Sequence, residues 1–399
     1  MTNEEYIAKY REEDVRRLAL KRAPEGVDLK WCLQQIEGWQ LARHKLPRWA
    51  ATEGLWYPAR LSMEQCSSEQ TADYKRQVVE RLLPEGERQR MVDLTGGLGV
   101  DFAAMAPLFD EAVYVEILPE LRRLAEHNMT MLIEKMRSTA LRICADNFPL
   151  SIVNYQFIYV DPARRDGAGR KTVGIDDCTP NVLEMQDELL ANSKMVMVKL
   201  SPMLDISEAL RQLHNVCEVH VVSVRGECKE LLFVMTKGHS TEPTIHCVNL
   251  DSDDEIVVWR MANGKRQKDF SFFHSFNFSF FHFLYEPNSS VLKAGVQDVL
   301  TERYPVEKLH PQSNLFVSES LIPHFPGRRF KVTGMSDFSK KGLKELIGDL
   351  RQANLTIRNF PTNVASLRRQ LKLAEGGDTY LFATTMADGS HAMIRCVKP

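Results

Sequence analysis

The sequence predicts an α/β fold: a mostly parallel sheet covered by helices on both faces, with a helical subdomain before it and small α+β domains after it. Two observations carry this prediction. Between residues 91 and 238, short apolar runs typical of buried strands alternate with helix-like segments, which is the pattern of strand–helix–strand units. The first run leads into a glycine-rich turn, at the position where such sheets bind ligands.

The first 70 residues are predicted to form a small helical subdomain that packs against the sheet, because Leu29, Leu33 and Ile36 recur at helical spacing. The N-terminus is charged and lacks the apolar core of a signal peptide. No apolar run is long enough to span a membrane. The eight cysteines include no C-x-x-C pair, which favours free thiols in a reducing compartment. We therefore expect a cytoplasmic protein with no metal site and no membrane partner.

Residues 71–240 are predicted to form a catalytic domain around seven strands. The strand candidates are 91–95, 112–116, 141–144, 157–161, 195–200, 218–224 and 231–236. The helix candidates between them are 100–109, 119–136, 181–192 and 206–213. The short connection between the last two strands indicates an antiparallel pair at one edge.

Residues 241–325 are predicted to hold linker strands and a small α+β, ferredoxin-like unit. This region includes residues 270–283, where eight phenylalanines partly alternate with polar residues. Such alternation favours the buried face of a strand over an exposed base-stacking surface. Residues 326–399 are predicted to form a last small domain. Its strand candidates are 330–332, 355–357, 380–384 and 392–397, and its helix candidates are 339–352 and 363–371.

Charge separates this last domain from the rest of the chain. The whole chain has a net charge of −2, which indicates no partner class. Residues 326–399 carry 13 Lys and Arg against 6 Asp and Glu, a net charge of +7, and the remaining residues carry −9. A basic domain on an acidic body fits contact with a polyanion.

The stretch 91–101, with the sequence MVDLTGGLGVD, predicts a strand, a glycine turn and a helix start. Glycines let the backbone approach a ligand closely, and the N–H groups at a helix start point towards it. A dinucleotide fingerprint would need glycine where Phe102 stands, and no Gly-Lys-Ser/Thr of a phosphate-binding loop follows. The turn therefore indicates a different nucleotide-like cofactor.

This turn and three later strand ends resemble class I S-adenosylmethionine-dependent methyltransferases, whose sheet is Rossmann-like. The matching residues are Asp93, Thr95, Gly96, Gly97 and Gly99 in the turn, Glu116 after the second strand, Asp146 after the third and Asp161 after the fourth. The resemblance covers about residues 65–238. It implies that these residues bind S-adenosylmethionine, with Glu116 on the ribose hydroxyls and Asp146 on the adenine amine.

Each of these residues also has a simpler interpretation, which the sequence leaves open. The glycines can serve only the tight turn, and Asp93 can hold the loop by hydrogen bonds. Glu116 can be an ordinary solvated strand end. Asp146 can cap the next turn.

Asp161-Pro162-Ala163-Arg164 resembles the Asp/Asn-Pro-Pro-aromatic motif of methyltransferases that act on exocyclic amines, although Ala163 and Arg164 replace proline and the aromatic residue. The resemblance implies that Asp161 and the Pro162 carbonyl accept hydrogen bonds from the amine of a flipped base. A guanidinium at Arg164 can stack on a base or hold a phosphate. It can equally belong to a solvated basic loop.

The 5-methyluridine type of RNA methyltransferase has Asp-Pro-Pro-Arg here, but it also needs a cysteine just past the fifth strand. This chain has Lys199-Leu200-Ser201-Pro202 at that place, so we exclude thiolate chemistry. Lys199 either faces the substrate or is a strand-edge charge. The loop 166–174 is either a lid near the substrate or an ordinary connection. Upstream, Ser67 or Ser68 is a plausible N-cap.

The order of elements in the last domain, strand–helix–strand–helix–strand–strand, resembles a THUMP-type RNA-binding domain. THUMP domains usually precede the catalytic domain, whereas this copy follows it. The resemblance implies RNA contacts by basic residues at the first strand and helix: Arg328, Arg329, Lys331, Lys340, Lys341 and Lys344. The alternative is a solvated basic surface.

The sequence thus predicts an S-adenosylmethionine-dependent methyltransferase of RNA (tRNA or rRNA) that acts on a base exocyclic amine. Asp161, Pro162 and Arg164 are the candidate catalytic residues. Two alternatives remain: an RNA-binding protein that has lost catalysis, and a methyltransferase of a protein or small molecule.

Overall fold

The computed structural model describes residues 1–133, 139–145, 154–163, 174–251, 257–260 and 281–399. These residues form two compact units, Met1–Val219 with Leu231–Thr241, and His220–Glu230 with Glu242–Pro399. Among the described helices, none combines the length and the apolar character that a membrane span requires.

Helices make up the start of the first unit, as predicted for residues 1–70. They are α1 (Asn3–Tyr10), α2 (Val15–Ala19), α3 (Leu29–Lys45), α4 (Pro47–Ala50), α5 (Arg60–Gln65) and α6 (Glu69–Leu82). Side-chain caps begin several of them: the carboxylate of Asp28 accepts from the N–H of Trp31, and the hydroxyl of Ser68 accepts from the N–H of Thr71. Such caps satisfy N–H groups that a helix start leaves unpaired. The predicted cap at Ser68 is confirmed.

The next elements alternate strand and helix, as predicted. They are β1 (Arg90–Asp93), α7 (Val100–Met105), β2 (Glu111–Val115), α8 (Pro119–Ile133), β3 (Ala140–Cys144), β4 (Tyr155–Val160), α9 (Val182–Ala191), β5 (Ser193–Leu200), α10 (Ile206–Gln212), β6 (Val216–Val224) and β7 (Glu227–Thr236). The strand order is β3-β2-β1-β4-β5-β7-β6. The first five of these strands are parallel, and β7 runs antiparallel to β5.

The order in which strands are added to the sheet switches sides at β1, between β1 and β4. From β1 the chain proceeds through β2 to β3, and it then returns to β4 and β5 on the other side of β1. In open α/β sheets, ligands bind in the crevice at such a switch point, at the carboxyl ends of the strands. The described residues predicted for the cofactor lie along this edge.

The predicted helical subdomain packs against this sheet region through α8. The side chain of Asn128, which is fully buried, accepts from the N–H of Trp56 and donates to its carbonyl, both at 2.8 Å. The ring of His127 stacks on the indole of Trp56, with ring centres 3.8 Å apart. These contacts join the N-terminal helices to the helix that connects β2 with β3.

The prediction of seven strands in this sheet was too low. Residues 220–224 of β6 belong to the second unit, and two further strands, β8 (Thr244–Asn249) and β9 (Val257–Arg260), extend the sheet to nine strands in the described part of the chain. The strand-like runs of this region were predicted to be linker strands, because they follow the last of the alternating helices.

A second sheet forms in the second unit. Its elements are β10 (Phe283–Pro287), α11 (Ser289–Ala294), α12 (Leu300–Arg303), β11 (Glu307–Lys308), β12 (Phe316–Ser318), β13 (Gly327–Asp337), α13 (Lys340–Ile347), β14 (Asn354–Arg358), α14 (Val364–Leu371), β15 (Tyr380–Thr385) and β16 (His391–Val397). The strand order is β11-β12-β10-β13-β16-β15-β14. From β13 onwards the predicted order of elements is confirmed.

The bounds of two elements in this sheet differ from the prediction. β13 spans eleven residues instead of three, because its polar residues pair with β10 and β16 through the backbone. α13 ends at Ile347 rather than near 352, because Gly348 adopts a φ of +53° that terminates the helix. Of the phenylalanine-rich tract, residues 270–280 lie outside the described residues, while Phe281 is buried in a core beside β13.

Candidate functional site

The loop that follows β1 is held by its own side chains. One carboxylate oxygen of Asp93 accepts from the N–H of Thr95 at 2.9 Å and from its hydroxyl at 3.3 Å. The same hydroxyl oxygen accepts from the N–H of Asp161 at 2.6 Å. Thr95 therefore joins the carboxyl ends of β1 and β4, which brings the two predicted motifs together.

The glycines of this loop serve different purposes. Gly97 and Gly99 have φ values of +58° and +84°, which favour glycine. Gly96 is required for a different reason: a Cβ there would lie 2.2 Å from the ring of Tyr114. That ring is fixed by the Tyr114 hydroxyl, which donates to the Gly97 carbonyl at 2.6 Å. A Cβ on Gly97 would make only an ordinary contact, with the carbonyl oxygen of Thr95 at 3.8 Å, so its φ rather than crowding favours glycine there.

Glu116 lies directly after β2, and its side chain turns back to the glycine loop. One carboxylate oxygen accepts from the N–H of Gly97 at 2.7 Å, and the other accepts from the N–H of Leu118 at 2.8 Å. The residue is 8% exposed. The described residues donate one hydrogen bond to each oxygen, and a carboxylate can accept about four. Ile117 and Leu118, which follow it, are exposed apolar side chains.

Asp93 is buried beneath the loop rather than presented at the crevice. Burial raises its pKa well above the ordinary aspartate value, and the nearby carboxylates of Asp101 and Asp161 raise it further. Hydrogen bonds from Thr95 oppose this rise. Its observed contacts are therefore those of a residue that shapes the loop.

Asp161 lies at the carboxyl end of β4 and is paired with Lys199 at the end of β5. The Lys199 ammonium donates to Oδ2 of Asp161. The pairing follows from strand register, because Val160 lies opposite Val198 in the parallel pair. The side chain of Asp161 is 35% exposed and that of Lys199 is 13% exposed. Among the described residues, none donates to Oδ1 of Asp161.

A second ion pair lies beneath this one. The fully buried ammonium of Lys75, on α6, lies 3.1 Å from Oδ1 of Asp101 in the first turn of α7. The hydroxyls of Ser67 and Tyr159 donate to Oδ2 of Asp101 at 2.7 and 2.8 Å. Burial by itself raises the pKa of Asp101, but the charges of Lys75 and Lys199 outweigh it and lower the pKa overall.

Several residues named in the sequence analysis lie outside the described residues: Asp146, Arg164 and residues 166–173 of the loop. The chain on either side of that loop is fixed. Ala163 and Thr179 exchange two backbone hydrogen bonds, at 2.8 and 3.0 Å. Pro162, between Asp161 and this bridge, is buried.

The six basic residues predicted to contact RNA lie on different faces of the second unit. Arg328 pairs with the buried carboxylate of Glu286 and lies over the ring of Phe330. Because side chains alternate along a strand, Arg329 and Lys331 lie on the opposite face of β13. Lys340, Lys341 and Lys344 are exposed on α13.

One basic residue near β13, Lys398, was not among those predicted from the sequence. The ammonium of Lys398 lies 4.9 Å from the ring centre of Phe330 and 5.7 Å from that of Tyr380. Its pKa is lowered by partial burial and then by the charges of Arg328 and Arg329. Its position near the chain end gave no sequence pattern that could have identified it.

Comparisons with known proteins agree with this architecture. A family model described as THUMP domain-like matches residues 327–398, and one described as a ferredoxin-like domain matches residues 283–326. A Porphyromonas gingivalis W83 protein with a crystal structure, assigned as a candidate methyltransferase, is 34% identical; the alignment covers 99% of this chain and 97% of that one, with a TM-score of 0.84. Uncharacterized S-adenosylmethionine-dependent methyltransferases from Mycobacterium tuberculosis strains CDC 1551 and H37Rv are 24% identical over 300 residues, which is 75% of this chain and 78% of each relative.

Proposed function

This chain belongs to the class I S-adenosylmethionine-dependent methyltransferases that carry a C-terminal THUMP-like domain, and from that premise we propose that it methylates RNA on an exocyclic amine of a base. The observation that carries the proposal is Oδ1 of Asp161, at the carboxyl end of β4, which accepts no hydrogen bond from the residues that the structure describes. It lies within a motif that resembles those of amine methyltransferases.

The residues at the end of β2 fit the cofactor. Glu116 is fixed by two backbone N–H groups and keeps lone pairs for the two ribose hydroxyls. Gly97, which donates to Glu116, has no side chain that could crowd a ligand there. When bound, S-adenosylmethionine supplies a methyl group on a positively charged sulfur. Gly96, Gly99, Thr95 and Asp93 keep the loop in the shape that this binding needs.

The acceptor would be held by the end of β4. Oδ1 of Asp161 accepts a hydrogen bond from the base N–H, which aims the nitrogen lone pair at the methyl carbon in line with the departing sulfur. S-adenosylmethionine, when bound, would supply the methyl group: the new nitrogen–carbon bond would replace its carbon–sulfur bond, and the sulfur would keep that bond's electron pair. The nitrogen then carries an extra proton, which Oδ1 of Asp161 is placed to accept. The buried Pro162 fixes the backbone next to it.

The basic C-terminal domain, residues 326–399, would hold the RNA. Lys340, Lys341 and Lys344 are exposed, and Lys340 and Lys344 have no acidic partner among the described residues. Lys331 and Lys398 add further positive charge. Exposed, weakly paired cations favour phosphate contacts that release counterions.

Mass spectrometry of RNA nucleosides tests this proposal. Cells with and without the protein should differ in one methylated base, and Asp161→Ala should remove that base. Asp187→Ala, an exposed acid on α9, should leave it in place. Identical nucleoside profiles would refute an RNA substrate.

A further inference from the structure

The pairing between Asp161 and Lys199 assigns a role to a residue that the family motif does not contain. We propose that Lys199 is a positioning residue for methyl transfer: its ammonium holds the Asp161 carboxylate so that Oδ1 faces the acceptor. The inference rests on the proposed function of Asp161 and deepens it.

The first support is that the two oxygens of Asp161 have different hydrogen-bonding environments. Oδ2 accepts from Lys199, while Oδ1 receives nothing from the described residues. A carboxylate can rotate about its terminal bond, which is a broad torsion. A charge-assisted hydrogen bond to one oxygen restricts that rotation and thereby determines where the other oxygen points.

The second support is the cost of placing an ammonium at this position. Lys199 is 13% exposed, and a charge removed from water destabilises the fold unless a partner compensates it. A residue needed only to fill this space would be apolar, like its neighbours Val198 and Leu200, which are buried. The presence of the Lys199 ammonium at this position is explained if its charge acts on Asp161.

The third support comes from the buried charges behind Lys199. Its charge also lowers the pKa of Asp101, so Lys199 lies within the field of two carboxylates. Asp101 is itself held by Ser67, Tyr159 and Lys75. Positive and negative charges therefore alternate from α6 through α7 to the ends of β5 and β4, and this arrangement attracts the Lys199 ammonium from both sides.

A double-mutant cycle tests the proposal with Lys199→Met, Asp161→Asn and the combination. Methyl transfer is measured as incorporation from labelled S-adenosylmethionine into total RNA. Lys199→Met should lower kcat by about 100-fold, as expected when a catalytic group is misplaced. Asp161→Asn keeps a neutral oxygen that needs no ammonium, so it should retain partial turnover. In the Asp161→Asn background, Lys199→Met should then cause no further loss.

Three controls separate positioning from folding. Lys199→Arg should restore most of the turnover, because it keeps the charge. Lys194→Met, at the other end of β5 and paired with Glu87, should have no effect on turnover. Calorimetric affinity for S-adenosylmethionine should be the same in all these variants. An equal loss of turnover on Lys199→Met in both backgrounds would overturn the proposal, as would unchanged turnover in the single variant.

The two proposals fail in different ways. If the wild type incorporates no methyl into RNA, the proposed function fails, and the same cycle is then measured by thermal unfolding. Lys199→Met should lower the melting temperature when Asp161 is present and should have less effect alongside Asp161→Asn. Equal shifts in the two backgrounds would overturn the role of Lys199 independently of any substrate.

Discussion

The two halves of the sheet's carboxyl edge hold their carboxylates by different means. On the cofactor side, Glu116 is nearly buried, and backbone N–H groups bind both of its oxygens. On the acceptor side, Asp161 is about one-third exposed and one side chain, Lys199, binds one oxygen. Backbone geometry thus fixes the carboxylate that we propose for the cofactor, whereas, among the described residues, a single ammonium fixes the carboxylate that we propose for the acceptor.

Asp101 lies in the first turn of α7, directly after the glycine loop, and accepts from Tyr159 of β4, so breaking its buried ion pair with Lys75 should have the largest effect. Lys75→Met would leave Asp101 buried without its partner, which costs about 3–5 kcal/mol of folding free energy. Denaturant unfolding measures this loss. Lys75→Met with Asp101→Asn should recover most of it, since Asn still accepts hydrogen bonds from Ser67 and Tyr159 and carries no charge.

The effect of Lys75→Met should depend on pH. A lowered pKa in the folded state means that ionised Asp101 stabilises the fold above the ordinary aspartate pKa of about 3.9. This contribution is lost as pH falls through the folded-state value. The stability difference between wild type and Lys75→Met should therefore shrink on acidification. A difference that stays constant with pH would exclude the ion pair as its cause.

Gly96→Ala should damage the cofactor half by steric conflict. The added Cβ would meet the fixed ring of Tyr114 at 2.2 Å, and such overpacking costs about 1–3 kcal/mol. Gly86→Ala is the matched control, because a Cβ there meets nothing within 4 Å. Thermal unfolding should show a lower melting temperature only for Gly96→Ala. Equal melting temperatures would mean that the loop adapts.

The pH dependence of the melting temperature tests whether Asp93 is a buried carboxyl that shapes the loop. Its raised pKa means that ionised Asp93 destabilises the fold, and this penalty grows as pH rises from about 3.9 towards the folded-state value. Asp93→Asn removes the charge and keeps an acceptor for the Thr95 N–H. Its melting temperature relative to wild type should therefore increase as pH rises, whereas Asp93→Ala should be destabilised throughout. A fall for Asp93→Asn would contradict the buried-charge account.

Charge reversal on α13 should have the smallest effect of these changes, because each exposed lysine contributes only weakly to RNA binding. Lys340→Glu, Lys341→Glu and Lys344→Glu together should weaken binding of bulk tRNA and reduce the salt slope by about 0.9 per lost phosphate contact. The control reverses Arg16, Arg17 and Arg22, which are exposed in the first unit. Anisotropy titrations between low and high salt compare the two. Equal losses would place the RNA elsewhere.

The sequence predicted the sheet well because buried parallel strands are continuous apolar runs, and six of the seven predicted strands start within two residues of the observed positions. β7 is the exception: it begins at Glu227 rather than 231, because a tight turn lets polar residues continue the hairpin through backbone bonds. Glu116 and Asp161 were identified by their place after strands. Their partners were not, because these contacts depend on strand register.

Lys75 illustrates the limit of sequence reasoning most clearly. A lysine within a helix is ordinarily expected to be solvent-exposed. Its partner Asp101 lies in a different helix, which follows β1 in the chain. No spacing rule connects the two residues. Lys199 was left between two interpretations for the same reason, since only the pairing of β4 with β5 places it beside Asp161.

The division of the sheet edge into a cofactor half and an acceptor half is tested most directly by calorimetric titration of S-adenosylmethionine into three proteins. Wild type and Asp161→Ala should bind with similar affinity, because Asp161 acts on the acceptor. Glu116→Ala should lose most of the affinity, while the matched Glu111→Ala, on the same strand and exposed, should not. Similar affinities for Glu116→Ala and wild type, or an equal loss in Glu116→Ala and Asp161→Ala, would contradict the account.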